Sequence, residues 1–251
     1  MIIWRDRLKA SGIHFSISLL IAVLAALLVF LVWYPYPYRE ISGGRELFGI
    51  LVTVDVILGP LLTFAIFDRT KSRRTLAFDL TAIGLTQLAA LGYGMFTVFV
   101  ARPVHLVFEY DRFRVVHAVE IPQELLPKAP AGIDPLPLTG PTMLSIRPAT
   151  GSEKMSVTMA ELAGSPVSAR PDFWQPYETA RPEVLKHAKP VSGLKARFAA
   201  QSRLIDQGVA ASGRPAERLG YLPLVARKEF WTVFIDQDSG EVLAAIPLDP
   251  Y

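Results

Sequence analysis

Residues 13–33 read IHFSISLLIAVLAALLVFLVW, residues 47–67 read LFGILVTVDVILGPLLTFAIF, and residues 80–101 read LTAIGLTQLAALGYGMFTVFVA. Each run holds about 20 mainly apolar residues, and at a rise of about 1.5 Å per residue such a helix crosses the ~30 Å hydrocarbon core of a bilayer. All three runs lie in the first hundred residues of a 251-residue chain, and residues 102–251 have a water-soluble composition. The expected fold is an integral membrane protein. Three transmembrane α-helices, at about 13–33, 47–67 and 80–101, make up residues 1–101. An extracytoplasmic α+β domain with antiparallel strands makes up residues 102–251.

A basic start (Arg5, Arg7, Lys9) ahead of an apolar run also fits a secretory signal. The first run is too long for a signal core, and no small-x-small cleavage site follows it. It ends instead in Trp33-Tyr34-Pro35-Tyr36-Pro37-Tyr38, an aromatic cluster suited to the membrane–water interface. A retained helix is expected. Orientation follows from basic residues in the short flanks. Arg5, Arg7 and Lys9 precede the first run, and Arg69, Lys71, Arg73 and Arg74 follow the second. The loop between the first and second runs has only Arg39 and Arg45, balanced by Glu40 and Glu46. The N-terminus and second loop are therefore expected in the cytoplasm. Residues 102–251 then lie outside, which in a two-membrane bacterium is the periplasm.

The net charge of +3 invites a nucleic-acid reading, but its distribution opposes one. From Arg102 onward 17 Lys+Arg meet 17 Asp+Glu, so the surplus sits in the flanks of the helices. No basic patch interleaved with aromatics occurs, and no nucleic-acid partner is expected. The chain has no cysteine, which excludes thiol catalysis and cysteine metal sites. A domain of about 150 residues is large enough to fold without disulfides. The four histidines, His14, His105, His117 and His187, are scattered, and no pair has metal-ligand spacing. There is no phosphate-binding glycine loop, nucleophile elbow or zincin motif. The chain is read as a non-enzyme, with no catalytic residue, cofactor or metal.

Polar residues inside the apolar runs are the candidate site. Asp55 lies near the middle of the second run, where a carboxylate costs about 2.5–3.5 kcal/mol on insertion scales. Gly59 allows close helix approach, and Pro60 frees a backbone carbonyl one turn back, near Val56. Gln87, Ala90 and Gly94 in the third run, and Ser18, Ala22 and Ala26 in the first, form small or polar stripes. Asp55, Gly59, Pro60 and Gln87 are the candidate contacts. They, with His14 or Ser18, either join the three helices to one another or meet another protein's helix. A proton path is the weakest of the three readings, since one acid among three helices is thin material for transport.

In the soluble part, Val104–Phe108 and Phe113–Val119 have strand composition, and the short link between them predicts a hairpin. His105 and His117 fall on it, read as a solvent-facing cross-strand pair. Pro122 to Pro148 is rich in turn signals and reads as irregular, and Arg170–Trp174 reads as a loop. Helices are expected at Ser156–Leu162, Pro182–Lys189 and Ser192–Gln207, the last stopped by Gly208. Tyr221–Ala226, Phe230–Ile235 and Val242–Ile246 read as three closing strands, with the first hairpin pairing onto them. Asp236, Asp238 and Glu241 do not match a calcium loop's spacing, so Asp236-Gln237-Asp238-Ser239-Gly240 is read as a hairpin turn.

Several segments together carry a resemblance. Arg7-Leu8-Lys9-Ala10-Ser11-Gly12-Ile13-His14 opens the chain, and Val54-Asp55-Val56-Ile57-Leu58-Gly59-Pro60-Leu61-Leu62-Thr63 fills the second run. Ala77-Phe78-Asp79-Leu80, Ala101-Arg102-Pro103-Val104 and Asp111-Arg112-Phe113 follow in order. Trp231–Asp236 and Pro247-Leu248-Asp249-Pro250 end it. Taken end to end, the chain resembles the TfpX/TfpZ family of type IV pilin accessory proteins. The resemblance implies an inner-membrane, chaperone-like factor that helps the major type IV pilin reach or enter the pilus assembly machinery. Its implied partners are pilin, that machinery and membrane lipid, and it implies no catalytic residues. Two alternatives stand beside it: a component of a membrane-bound pilin-modifying enzyme, and an extracytoplasmic ligand sensor acting through a partner.

Overall fold

The structure, a computed structural model, describes residues 2–227 and 229–251. The chain divides into two compact units, residues 1–101 and 102–251. In the first, three helices are long and apolar enough to cross a membrane: Trp4–Trp33, Gly44–Ile66 and Arg73–Val100. They start before the apolar runs do. The first reaches back through Arg5, Arg7 and Lys9, and the third starts where the Ser72 hydroxyl caps the backbone N–H of Thr75. Their outward faces carry bare leucine, isoleucine and phenylalanine, including Leu20, Leu31, Ile50, Leu61, Phe78 and Phe96. So large an apolar surface on one unit calls for lipid or protein to cover it.

The first helix ends in a π turn, Leu28–Trp33, where Tyr34 N–H donates to Val29 O at 2.7 Å. Tyr34 is fully buried, and its hydroxyl donates to Val98 O of the third helix at 3.0 Å. Gly43, at φ 74°, turns the chain into the second helix, and Gly44 lets the Tyr34 ring lie on its backbone. Around this joint Val29, Tyr34, Phe48, Leu51 and Val98 form an apolar cluster drawn from all three helices. At the other end the helices are laced by ion pairs: Arg7–Asp68 at 3.6 Å, Arg69–Asp6 at 3.5 Å and Lys71–Asp79 at 2.7 Å.

The second unit is built on one eight-stranded sheet. Its strands are β1 (Pro103–Glu109), β2 (Arg112–His117), β3 (Thr142–Ile146), β4 (Trp174–Pro176), β5 (Lys189–Pro190), β6 (Leu219–Val225), β7 (Phe230–Asp236) and β8 (Val242–Ile246). The order is β4-β3-β1-β2-β6-β7-β8, with β5 also on β6. The sheet is mixed, which corrects the expectation of antiparallel strands: β3 runs parallel to β1, and β6 parallel to β2. Parallel neighbours need a long crossover. The proline-rich stretch after β2 supplies the first one, and it hides β3 at its far end. The β1–β2 hairpin does pair with the closing meander, through Phe113↔Leu224 and Arg114↔Val225.

The expected helix over Ser192–Gln207 is broken in two, Val191–Arg197 and Ser202–Ser212, because Phe198 leaves helical geometry at φ −118°, ψ 53°. Gly208 is no stop. It lies inside the second of these helices, which is ended by Gly213 at φ 67°. Both helices pack with the meander around Leu194, Ile205, Leu219, Phe234 and Ile246. A second core gathers Val104, Val107, Val116, Leu144 and Trp174. The loop read at Arg170–Trp174 therefore runs into β4, and the Trp174 indole donates to Ser168 O at 2.8 Å.

Candidate functional site

Asp55 occupies the midpoint of the Gly44–Ile66 helix, within a π segment, Thr53–Leu58. In a π segment each carbonyl looks to the N–H five residues ahead. For Asp55 that residue is Pro60, which has none. Gln87 of the third helix fills the vacancy, its amide donating to the Asp55 carbonyl at 3.2 Å. The freed acceptor with a partner is thus that of Asp55, one residue before the carbonyl expected near Val56. Gly59 makes the reach possible: a Cβ there would stand 1.7 Å from Gln87 Nε2. The first helix joins in through Ser11, whose hydroxyl donates to Pro60 O at 2.8 Å, and His14, whose Nδ1 lies 2.6 Å from Thr63 Oγ1.

Gly59, Pro60 and Gln87 therefore act together, and what they satisfy is backbone. The Asp55 side chain is different. It is 8% exposed, and neither carboxylate oxygen has a hydrogen-bond partner among the described residues. It lines a cavity of about 220 Å³ whose walls include Ile17, Ser18, Ala22, Leu51, Gln87 and Leu88 from all three helices. Ser11 and Thr63 were not among the residues singled out from sequence. Thr63 closes the ten-residue stretch beginning at Val54, and its spacing of three from Pro60 puts it on the same helix face.

The two hairpin histidines, His105 and His117, are not a solvent-facing pair. Both are fully buried, and His105 stands opposite Val116, with His117 opposite Pro103. His105 is held between Thr142 Oγ1, at 2.7 Å from Nδ1, and Pro135 O, at 3.1 Å from Nε2. A carbonyl only accepts, so Nε2 carries the proton and Nδ1 accepts from the threonine. Burial pushes the ring's pKa down to about 4, against smaller upward pulls from Pro135 O and Asp134. His117 instead meets Glu120 at 3.2 Å. Asp236 builds the expected turn: its Oδ1 accepts from the N–H groups of Asp238, at 2.8 Å, and Ser239, at 3.2 Å, while Gly240 supplies φ 71°. The Asp238 N–H foremost holds its carboxyl below the ordinary range, and Arg214 pairs with the second oxygen at 2.9 Å. Among the described residues no group of three or more acidic or histidine side chains is placed to hold a metal ion.

A wider hollow of about 750 Å³ opens in the soluble unit, lined by Phe108, Tyr110, Arg147, Val157, Glu161 and Phe173 among others. Arg147 lies over the Phe173 ring at 4.4 Å and forks onto Glu153 at 2.8 and 2.9 Å. That fork is the main reason the Glu153 carboxyl stays well below its usual range. Burial, with Glu161 beside it, pushes the Tyr110 hydroxyl up to about 12.

The family model described as "Fimbrial assembly protein FimB" matches residues 2–43. Among curated proteins, the chain is similar to "Fimbrial assembly protein, serogroup I" of Dichelobacter nodosus, 34% identical over 247 residues, covering 97% of this chain and 95% of that one. It is 31% identical over 246 residues to the serogroup E1 protein of that organism, with the same coverage of both chains. The protein of serogroups C1 and C2 is 44% identical over 121 residues, 48% of this chain and 92% of that one. No solved structure matches. With identity above 30% sustained along almost the whole of both chains, this chain belongs to the fimbrial assembly protein family.

Proposed function

We propose that the protein is an inner-membrane accessory factor of type IV pilus assembly that receives pilin subunits before they enter the fibre. The end-to-end similarity to fimbrial assembly proteins carries this reading. The narrower resemblance to pilin accessory proteins points the same way. The three apolar helices sit in the inner membrane, where lipid or a client covers their bare outer faces. Basic flanks hold the N-terminus and second loop in the cytoplasm, and residues 102–251 work in the periplasm. A client anchored by one apolar helix, with its head outside, would meet this protein at both levels.

The action is chaperone-like: contact and hand-over, with no chemistry done on the client. The partners are the major pilin, the assembly machinery that takes it over, and membrane lipid. The test is co-purification of the full-length protein with pilin from detergent-solubilised membranes, together with a count of surface pili in a deletion strain. Enrichment of pilin and loss of pili are expected. Normal piliation without the gene, or no pilin in the eluate, refutes the reading.

A further inference from the structure

We infer that the cavity at Asp55 is a binding site for one cationic hydrogen-bond donor, an ammonium or guanidinium, carried on the apolar membrane segment of another protein. The inference rests on the proposed membrane location and names the chemistry by which a client helix is held.

Three observations converge on it. First, Asp55 lies at the midpoint of the most enclosed helix, yet among the described residues both its carboxylate oxygens lack partners. A buried acid at that depth normally pairs with a group inside the bundle. Second, three of the nearby polar side chains are engaged elsewhere, and Ser18, the neutral hydroxyl in the cavity wall, makes no hydrogen bond to the carboxylate. Gln87 serves the Asp55 backbone carbonyl, His14 meets Thr63, and Ser11 serves Pro60 O. Among the described residues the ion pairs of this unit, Arg7–Asp68, Arg69–Asp6, Lys71–Asp79, Arg39–Glu40 and Arg45–Glu40, join residues of the helix ends and the connecting loops. Third, the cavity's size selects its occupant. Asp55 also borders a second hollow of about 370 Å³; a helix with its side chains is about 10 Å across and fits in neither, whereas a single long side chain does. The walls are mostly apolar, suited to the methylene stem of such a side chain, and the carboxylate supplies the complementary charge.

The test uses full-length protein in lipid nanodiscs. The probes are two synthetic apolar helices of about 20 residues, identical except for lysine or leucine at the centre. The lysine peptide is expected to bind about tenfold tighter, the scale of one well-made polar contact between helices. Asp55→Leu and Asp55→Asn should abolish that preference while still binding the leucine peptide, which serves as the control for folding. Asp55→Glu should keep it. Equal binding of both peptides to the unmodified protein overturns the inference. So does a preference that survives in Asp55→Leu, or a co-purifying lipid that the lysine peptide does not displace. The assay contains no pilin, so the two readings fail separately. Peptide discrimination without pilin in the eluate removes the proposed function and leaves the site. Pilin captured equally by Asp55→Leu leaves the function and removes the site.

Discussion

Adding one methyl group at Gly208 tests the seating of helix Ser202–Ser212 on the sheet. Two effects oppose each other. Alanine in a helix interior is favoured over glycine by about 1 kcal/mol. Against that, the new Cβ would stand 2.2 Å from Phe234 Cε2 and 2.6 Å from Ile246 Cγ2. Ordinary carbon contacts begin near ~3.5 Å, so the ring must retreat by about 1 Å or more. Phe234 is fully buried and Ile246 nearly so, and neither is the free end of a flexible chain. Overpacking of that kind costs about 1–3 kcal/mol, and the doubled clash puts it at the upper end. The expected net loss is about 2 kcal/mol, or a fall of about 4–8 °C in Tm for a unit of this size. The assay is thermal unfolding of residues 102–251 by circular dichroism, where a single cooperative transition is expected. Gly213→Ala, with open space around it but φ 67°, should lose about 1 kcal/mol through backbone strain alone. Gly193→Ala, with open space and no positive φ, should be neutral or slightly stabilising. An unchanged or raised midpoint for Gly208→Ala refutes the packing of this helix against β7 and β8.

His105 is held neutral in the folded unit, with its pKa near 4, while an unfolded histidine takes a proton near 6.5. Stability from this ring is therefore full above about pH 6.5 and is lost as pH falls towards about 4; a ring titrating near 6.5 in a nuclear magnetic resonance titration contradicts it. Gly59→Ala should displace Gln87 and mimic Gln87→Leu, each weakening the helical unit by about 1–2 kcal/mol in detergent-titration unfolding; additive losses in the double variant would show that the two residues do not act together. Alkaline phosphatase fused after residue 120 should be active and fused near Thr70 inactive; the reverse pattern overturns the orientation.

The three apolar helices were legible because an unbroken apolar run of about 20 residues matches the thickness of a bilayer and exceeds what a water-soluble core usually buries in one helix. Asp55, Gly59, Pro60 and Gln87 stood out as polar or helix-perturbing residues in such runs. Their division of labour did not, because it depends on the π register, which shifts the orphaned carbonyl from Val56 to Asp55. The closing meander was legible from its apolar segments and the Asp236–Gly240 turn. β3 and β4 were not: Thr142–Ile146 sits among prolines, and Trp174–Pro176 is three residues long, so neither shows alternation over a useful window. Missing β3 hid one parallel pairing, and the other, β2 alongside β6, joins two segments read correctly as strands but far apart in sequence, whose relative direction no local pattern sets. His105 and His117 were misplaced because alternation sets which face a strand residue takes, and both faces of β1 are covered: every residue from Pro103 to Glu109 is buried.

The loan of the Gln87 amide to the second helix has a consequence for how the protein is made. In the proposed membrane setting, helices leave the insertion machinery in chain order, and a helix alone in hydrocarbon must satisfy its own backbone. The Gly44–Ile66 helix falls short of that by one carbonyl until the third helix, with Gln87, has been synthesised. It is the segment least able to stand alone in lipid. Its release sideways into the bilayer should wait for the third helix, and a nascent chain arrested before Gln87 should stay against the insertion machinery longer than one arrested after it.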